Sequence, residues 1–327
     1  MFEIKLKRQL KKFKSYNDKI KEKTNNAVRE TSLLYLLTTS FFKIFVLVFF
    51  GLLIIFPFAF MILLSLMPDH QAENLKNTFS FFPEDFGKNA WMNYKLALNL
   101  EYFSAFGLTF ANVVFSVTVK IFLTMLAGYA FSIKKWRGKE VLWVLLLSLL
   151  ILPDVALLSG QYKVIKLLES VKITNKFFNG FIGRVMIIGI PFVASVFNIL
   201  MFRNAFSMIP SRIKEVAAID GVVGYRYLFK IAAPMVMPTT LTVVILTALV
   251  SWNAYLWPNL VAGTDYKIMS VWLFSVGRVD RGGTVQVLSN VKMAGTIASI
   301  LPMFIFFFLS RKKIMGAVSR QGSAIKG

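Results

Sequence analysis

Six apolar stretches, at approximately residues 44–67, 107–133, 140–158, 185–203, 239–262 and 289–310, approach or exceed the roughly 20 residues an α-helix needs to cross a bilayer. No other feature restricts the fold as much. Inside hydrocarbon every backbone N–H and C=O must be satisfied within the protein, and runs of this length satisfy their own only as helices. The expectation is an all-α polytopic membrane protein with six transmembrane helices. The chain is 56% hydrophobic and 17% charged, with a mean hydropathy of +0.63, a balance foreign to soluble domains of 327 residues.

Charge between the spans sets the expected orientation. Residues 1–43 carry eleven Lys/Arg against four Asp/Glu, and further Lys/Arg collect in 134–139, 203–230 and the tail after Ser310. The loops at 68–106, 154–184 and 263–288 carry fewer, so the positive-inside rule puts both termini and the 203–230 loop in the cytoplasm. A net charge of +22 in a soluble protein would point to nucleic acid. Here the charge is spread over loops between apolar spans, and no nucleic-acid partner is expected. Within the basic N-terminal segment, Leu6, Leu10, Phe13 and Ile20 recur near helical spacing. That permits an amphipathic helix on an anionic membrane surface; a solvated basic tail is the alternative. The apolar run that follows is too long for a cleavable signal peptide and ends at Met67-Pro68-Asp69 without a small-residue cleavage site. The expected divisions are a basic segment 1–43, a six-span domain 44–310 containing the loop 204–236, and a tail 311–327.

Catalytic chemistry finds little to work with. Cysteine is absent and His70 is the single histidine, read as a solvent-facing loop residue; no metal site or catalytic residue is expected. The two Gly-Lys pairs, Gly87-Lys88 and Gly138-Lys139, are followed by Asn89 and Glu140. Neither completes a phosphate-cradling loop, which needs Ser or Thr after the lysine. Gly221-Val222-Val223-Gly224 has no preceding strand and is no nucleotide fingerprint.

The most informative interruption is Met208–Pro234. Pro210 suits the start of a helix, and Ser211–Asp220 reads as a short one. Gly221 supplies the left-handed conformation that ends a helix. A second helical run, Tyr225–Ala233, is expected to stop at Pro234. Two short helices joined by a glycine elbow make a knob outside the bilayer, suited to a socket on another protein.

Glu215-Val216-Ala217, then Gly221, Ile231 and Pro234, resemble the "EAA" loop of the permease subunits of bacterial ABC importers. Ala218-Ile219-Asp220-Gly221, Pro238, Ser251-Trp252-Asn253 and Leu256-Trp257-Pro258 are similar to the carbohydrate-uptake branch, of maltose and glycerol-phosphate type. Ala127-Gly128-Tyr129-Ala130, Gly316-Ala317-Val318 and Lys326-Gly327 fit it too. Val216 and Ala233 depart from the motif, where alanine and leucine are usual. The resemblance covers roughly residues 44 to 327. It implies a type I importer permease fold in a bacterial plasma membrane, and a second permease subunit. It also implies two ATP-binding subunits docked through Glu215, Ala217, Asp220, Gly221 and Pro234, and an extracellular solute-binding protein. No cofactor is implied on this chain; ATP and magnesium would sit on the partner ATPase. A secondary transporter driven by an ion gradient is the alternative, and it predicts acidic groups buried in the spans. The sixteen carboxylates fall instead in the tail, loops or span edges, with Asp154 nearest to apolar surroundings. A scaffold without transport would not require the motif.

Pro57, Pro153, Pro191, Pro258 and Pro302 lie within or at the ends of spans, where each frees a backbone carbonyl that needs another partner. Lys120 lies near midspan, where a charge costs roughly 2.5–3.5 kcal/mol on insertion scales. It faces an anionic solute or a protein group. Asn112, Asn198, Asn253 and Tyr255 are further candidates for the solute pathway; interhelical hydrogen bonding is the alternative for each. Trp252 and Trp257 read as interface anchors rather than sugar platforms.

Overall fold

A computed structural model describes residues 33–75, 77–85, 87–133, 136–171, 177–262 and 266–324. The amphipathic helix expected near the N-terminus lies outside them. The chain divides into two compact units, Met1–Phe60 and Met61–Gly327. In the first unit the described residues belong to helix α1 (Leu33–Ser65), whose apolar side chains are exposed around its circumference, as at Phe41, Leu47 and Leu52. A helix apolar all round is made for lipid or protein, not water.

The second unit is built around α4 (Leu100–Ser132). It is preceded by α2 (Asp69–Asn74) and α3 (Lys88–Ala97). Asn99 caps α4, accepting from the Tyr102 N–H at 3.0 Å. After it come α5 (Lys139–Ser148), α6 (Asp154–Ser170), α7 (Phe181–Gly189) and α8 (Val196–Ser207). The short helices α9 (Ser211–Ile219) and α10 (Tyr225–Tyr227) lead into α11 (Met237–Asn253). Two more, α12 (Leu256–Val261) and α13 (Met269–Trp272), precede a hairpin, and α14 (Ser289–Ala324) closes the chain. The helix α4 packs against α7, α8 and α11. Gly128 sets the closest approach: a Cβ there would lie 2.4 Å from Phe202 Cβ and 2.9 Å from the Arg203 backbone nitrogen.

Among the described residues the hairpin is the one departure from an all-helical chain. Strands β1 (Arg278–Arg281) and β2 (Thr284–Val287) pair antiparallel about Gly282-Gly283, whose φ angles of 67° and 86° suit the turn that matches strand twist.

Among the described residues three helices are long and apolar enough to cross a bilayer, the segments Leu37–Ser65, Leu100–Ser132 and Ser289–Arg311. Three bent helix pairs raise the number of candidate spans to at most six. The expected third, fourth and fifth spans are therefore not straight rods. The third breaks at Pro153, and the fourth bends by 66° between Phe181–Phe192 and Val196–Ser207. The fifth bends by 76° at its start and ends at Asn253 rather than 262.

Two prolines near these bends have neighbouring carbonyls met by side-chain donors. In an unbroken helix the carbonyl of residue i−4 accepts from residue i, and proline cannot donate. Pro191 leaves the Ile187 carbonyl free, and the Trp257 indole N–H donates to it at 3.0 Å. Pro258 lies in the first turn of α12, and the Ser270 hydroxyl donates to the carbonyl of Ala254 just before that helix. The carbonyls are satisfied from elsewhere in the chain, as a low-dielectric setting demands.

Candidate functional site

The loop between α8 and α11 is a rooted knob. Pro210 occupies the N-cap of α9, one position before the first turn, and its carbonyl accepts from Ile213 at 3.1 Å. The far end closes with two reverse bonds, Val222 N–H to the Ala217 carbonyl at 2.8 Å and Gly221 N–H to Ala218 at 3.1 Å. This pair is the Schellman motif, and it requires the left-handed residue that Gly221 provides at φ 70°. Gly224 makes a second turn at φ 60°, ψ −130°, a region that glycine alone visits readily.

The second helical run does not stop at Pro234. A π-turn at Leu228–Ala232 shifts the hydrogen-bond register, and a new turn, Ala233–Met235, starts with Pro234 in its first positions. There no N–H is required, so the chain passes through the proline and bends at Val236.

Ala217, Tyr227, Leu228, Ala232 and Val236 are buried with Phe202 and Phe206 of α8 and Val243 of α11. Tyr129 of α4 packs edge-on to Phe206, with centroids 5.4 Å apart. The knob's inner face thus packs against three helices of the second unit. Its outer face carries Glu215 and Asp220 together with Val216, Ile219, Val223 and Tyr225, all exposed. Ile219 is 85% exposed, an unusual position for a large apolar side chain at a helix end. Of the expected docking residues, Glu215, Asp220 and Pro234 face outward, Ala217 faces the core, and Gly221 acts through backbone conformation. Of the four exposed apolar residues, Val216 entered the sequence reading only as a departure from the motif, and Ile219, Val223 and Tyr225 were not expected on the docking face. Their signal is that Ile219 falls on the side of α9 opposite Ala217, with Val216 on the flank between.

The expected pathway residues separate into two groups. Asn112 and Lys120 lie on one buried face of α4 with Thr109, Ser116 and Thr124. Asn112 donates to Ser251 of α11 at 3.2 Å, and one turn further along each helix the Ser116 and Thr247 hydroxyls are buried without a partner. Lys120 is 7% exposed and has no ion-pair partner among the described residues. Asn198 is buried in the first turn of α8, where its N–H meets the capping Ser195 hydroxyl at 3.3 Å. These groups look into the interior of the subunit. Asn253, the last residue of α11, and Tyr255, just beyond it, are exposed. Asn253 donates to the Leu249 carbonyl, and Tyr255 packs against Phe274 with centroids 4.6 Å apart.

Trp252 and Trp257 are not interface anchors. Both are buried, and each indole N–H is spent on a backbone carbonyl, Ser299 at 3.3 Å and Ile187 at 3.0 Å. Trp252 does form part of the wall of an open cleft of about 380 Å³ between α11, α13 and α14, which Asn253, Ser270, Thr296 and Phe304 also line. His70 is exposed, as expected, with Nε2 3.2 Å from Glu84. No group of acidic or histidine side chains suited to a metal ion occurs among the described residues.

No family model matches the chain. It is similar to the probable ABC transporter permease protein MG189 homolog of Mycoplasma pneumoniae, 39% identical over 96% of this chain and 98% of the relative. The corresponding Mycoplasma genitalium protein is 38% identical over 92% and 93%. The lactose transport system permease protein LacG of Rhizobium radiobacter is 25% identical over 80% and 89%. Among solved structures, a bacterial ABC transporter involved in the import of the acidic polysaccharide alginate superposes with a TM-score of 0.71 at 20% identity, over 87% of this chain and 99% of the other. With its bent spans, its rooted glycine-turn knob and these relatives, the chain belongs to the ABC transporter permeases, and is a multi-pass membrane protein of that family.

Proposed function

We propose that this subunit forms one half of the translocation pathway of a binding-protein-dependent importer and that the knob at 211–235 transmits the work of ATP hydrolysis into it. The observation that carries the reading is the two-sided knob. Its inner face is fused to the ends of α4, α8 and α11, and its outer face offers exposed apolar and acidic groups around Glu215 and Ile219. Such an outer face is stable only against another protein. Two ATP-binding subunits, carrying ATP and magnesium, dock there and on a second permease chain, and an extracellular binding protein delivers the solute. The subunit itself is not catalytic. The loop lies in the cytoplasm, as do both termini, including the basic segment 1–43 and the tail 311–327.

The solute is a carbohydrate or polyol phosphate. Relatives named for lactose, arabinooligosaccharide and sn-glycerol-3-phosphate transport support that range. An ion-gradient mechanism has no support: no Asp or Glu side chain is buried among the described residues, and no acidic relay crosses the unit. Purifying the tagged chain from its own cells tests the reading. An ATPase and a second permease are expected to copurify, with ATP hydrolysis by the complex and none by the isolated chain. Hydrolysis by the chain alone, free of other ATPases, overturns it.

A further inference from the structure

The helix α6 departs from the direction of α5 after Pro153, and the chain turns by 104° between Lys139–Ile151 and Ala156–Ser170. The start of α5 lies at the knob end of the unit. There the Arg203 guanidinium of α8 sits 4.2 Å from the ring centroid of Trp143, and Phe131, near the end of α4, packs on the same ring at 5.0 Å. From this end the ten residues of α5 and the three of the 3-10 turn after it reach about 20 Å. The hydrocarbon core of a bilayer is about 30 Å thick. With Lys139 at the near boundary, the run stops about 10 Å short of the far one, and α6 turns off at that depth.

Three faces run along α6. Leu158, Tyr162, Ile165 and Glu169, one above the other at helical spacing, are buried or half-buried. Ile165 belongs to one buried cluster with Leu108 of α4, Val185 of α7 and Val261 of α12. Glu169 accepts from the Arg184 guanidinium of α7 at 3.3 Å, and the same guanidinium donates to the Val261 carbonyl at 2.8 Å. This face holds the helix to the unit. Leu157, Gly160, Val164 and Leu167 form the second face, on which Val164 is 55% and Leu167 68% exposed. Ser159, Lys163, Lys166 and Ser170 form the third, and all four are exposed. Lys166 pairs with Glu169 at 2.7 Å, whereas Lys163 has no ion-pair partner among the described residues.

A helix divided between a core face, an apolar face and a cationic face fits a membrane surface. Its apolar face follows directly on the exposed apolar side chains of α5, among them Val144, Leu145 and Ile151. Surface-lying helices sink that face about 5–10 Å into the boundary between headgroups and acyl chains, which matches the depth at which the α5 run ends. The lysines beside it complement anionic headgroups. We infer that α6 lies in the plane of the bilayer surface opposite the knob, with Leu157, Val164 and Leu167 in the acyl boundary and Lys163 against anionic lipid headgroups. The inference goes beyond the importer reading and holds whatever solute is carried.

The chain contains no cysteine, so single cysteines can report on each face in turn. The full chain, with the subunits that copurify, is placed in nanodiscs and spin-labelled at Val164→Cys, Leu167→Cys, Ser159→Cys or Lys163→Cys. Each label is tested for collision with oxygen, which partitions into lipid, and with a water-soluble nickel chelate; the complex without an added cysteine gives the background. Labels replacing Val164 and Leu167 should favour oxygen, and those replacing Ser159 and Lys163 the chelate. Apolar-face labels reached by the chelate overturn the inference. So do apolar-face labels reached by neither reagent, since a protein subunit then covers them. Adding phosphatidylglycerol to phosphatidylcholine nanodiscs should raise the melting temperature. Lys163→Gln should remove about 2–4 °C of that gain, and Lys163→Arg should keep it. An equal gain in Lys163→Gln overturns the headgroup contact.

Discussion

The phenol of Tyr102 donates to the carbonyl of Ala298 at 3.1 Å, across 196 residues of sequence, and Ala298 is the carbonyl that Pro302 leaves without a helical donor. Trp257 stands in the same relation to Ile187 and Pro191. Two prolines, Pro191 and Pro302, are thus each matched by one side-chain donor from a neighbouring element. A freed carbonyl met in this way ties the proline-bearing helix to its neighbour, so these prolines help fix the packing of the second unit instead of loosening it.

This relationship predicts a specific coupling. Tyr102→Phe should destabilise the protein by about 1–3 kcal/mol, the cost of stranding a buried acceptor. Pro302→Ala restores the N–H that Ala298 lacks, so in that background Tyr102→Phe should cost less than half as much. Thermal melting of the four members of the cycle in detergent is the measurement. Equal costs in both backgrounds would show that Tyr102 acts by packing alone.

Close approach predicts a second result. Gly128→Ala should sharply reduce folded protein in the membrane, because the groups it would strike include the backbone of Arg203 and Ile199, which cannot step aside as a side-chain tip can. Gly107, in the same helix with open space around its Cα, is the control: Gly107→Ala should be neutral or slightly stabilising. Membrane abundance by immunoblot and retention time in gel filtration decide between them.

The elbow predicts a third. A Cβ added at Gly221 would meet nothing within 4 Å, so substitution there brings conformational strain without a clash. Gly221→Val forces a β-branched residue to φ 70°, at a cost of at least about 1–2 kcal/mol, and should impair solute-stimulated ATP hydrolysis in the complex. Asparagine tolerates the left-handed region, so Gly221→Asn should retain most of the coupling. Loss of coupling in both, with normal assembly, would point to a contact made by the glycine itself.

Much of this architecture is legible in the sequence. Prolines inside apolar runs announce freed carbonyls, and Gly221 after a short polar helix announces a left-handed turn. Which donors meet those carbonyls is not legible, because Tyr102 and Trp257 reach them only through packing between distant segments. For the same reason Trp252 and Trp257 read as interface anchors: a tryptophan near a span end looks alike whether its N–H faces headgroups or a kinked neighbour. The π-turn before Pro234 has no signal in composition, since it is the helix's accommodation of a proline it continues through. The hairpin is legible but absent from the expectations, for Gly282-Gly283 between Val279 and Val285 is a hairpin turn signal.

Lys120 carries the last prediction. A midspan charge facing the solute would be exposed to a pathway, and one held by protein would meet a carboxylate or a carbonyl. In this structure it is enclosed on the face of α4 that looks toward α8 and α11, and no carboxylate pairs with it among the described residues. Removing the charge therefore strands no counter-ion and relieves its desolvation. Lys120→Met should leave solute carried per complex unchanged and raise abundance or melting temperature, by an amount up to the roughly 2.5–3.5 kcal/mol that a central lysine costs on insertion scales. Uptake and complex abundance measured in the same membranes make the comparison. A fall in transport per complex, at normal abundance, would return Lys120 to the solute pathway.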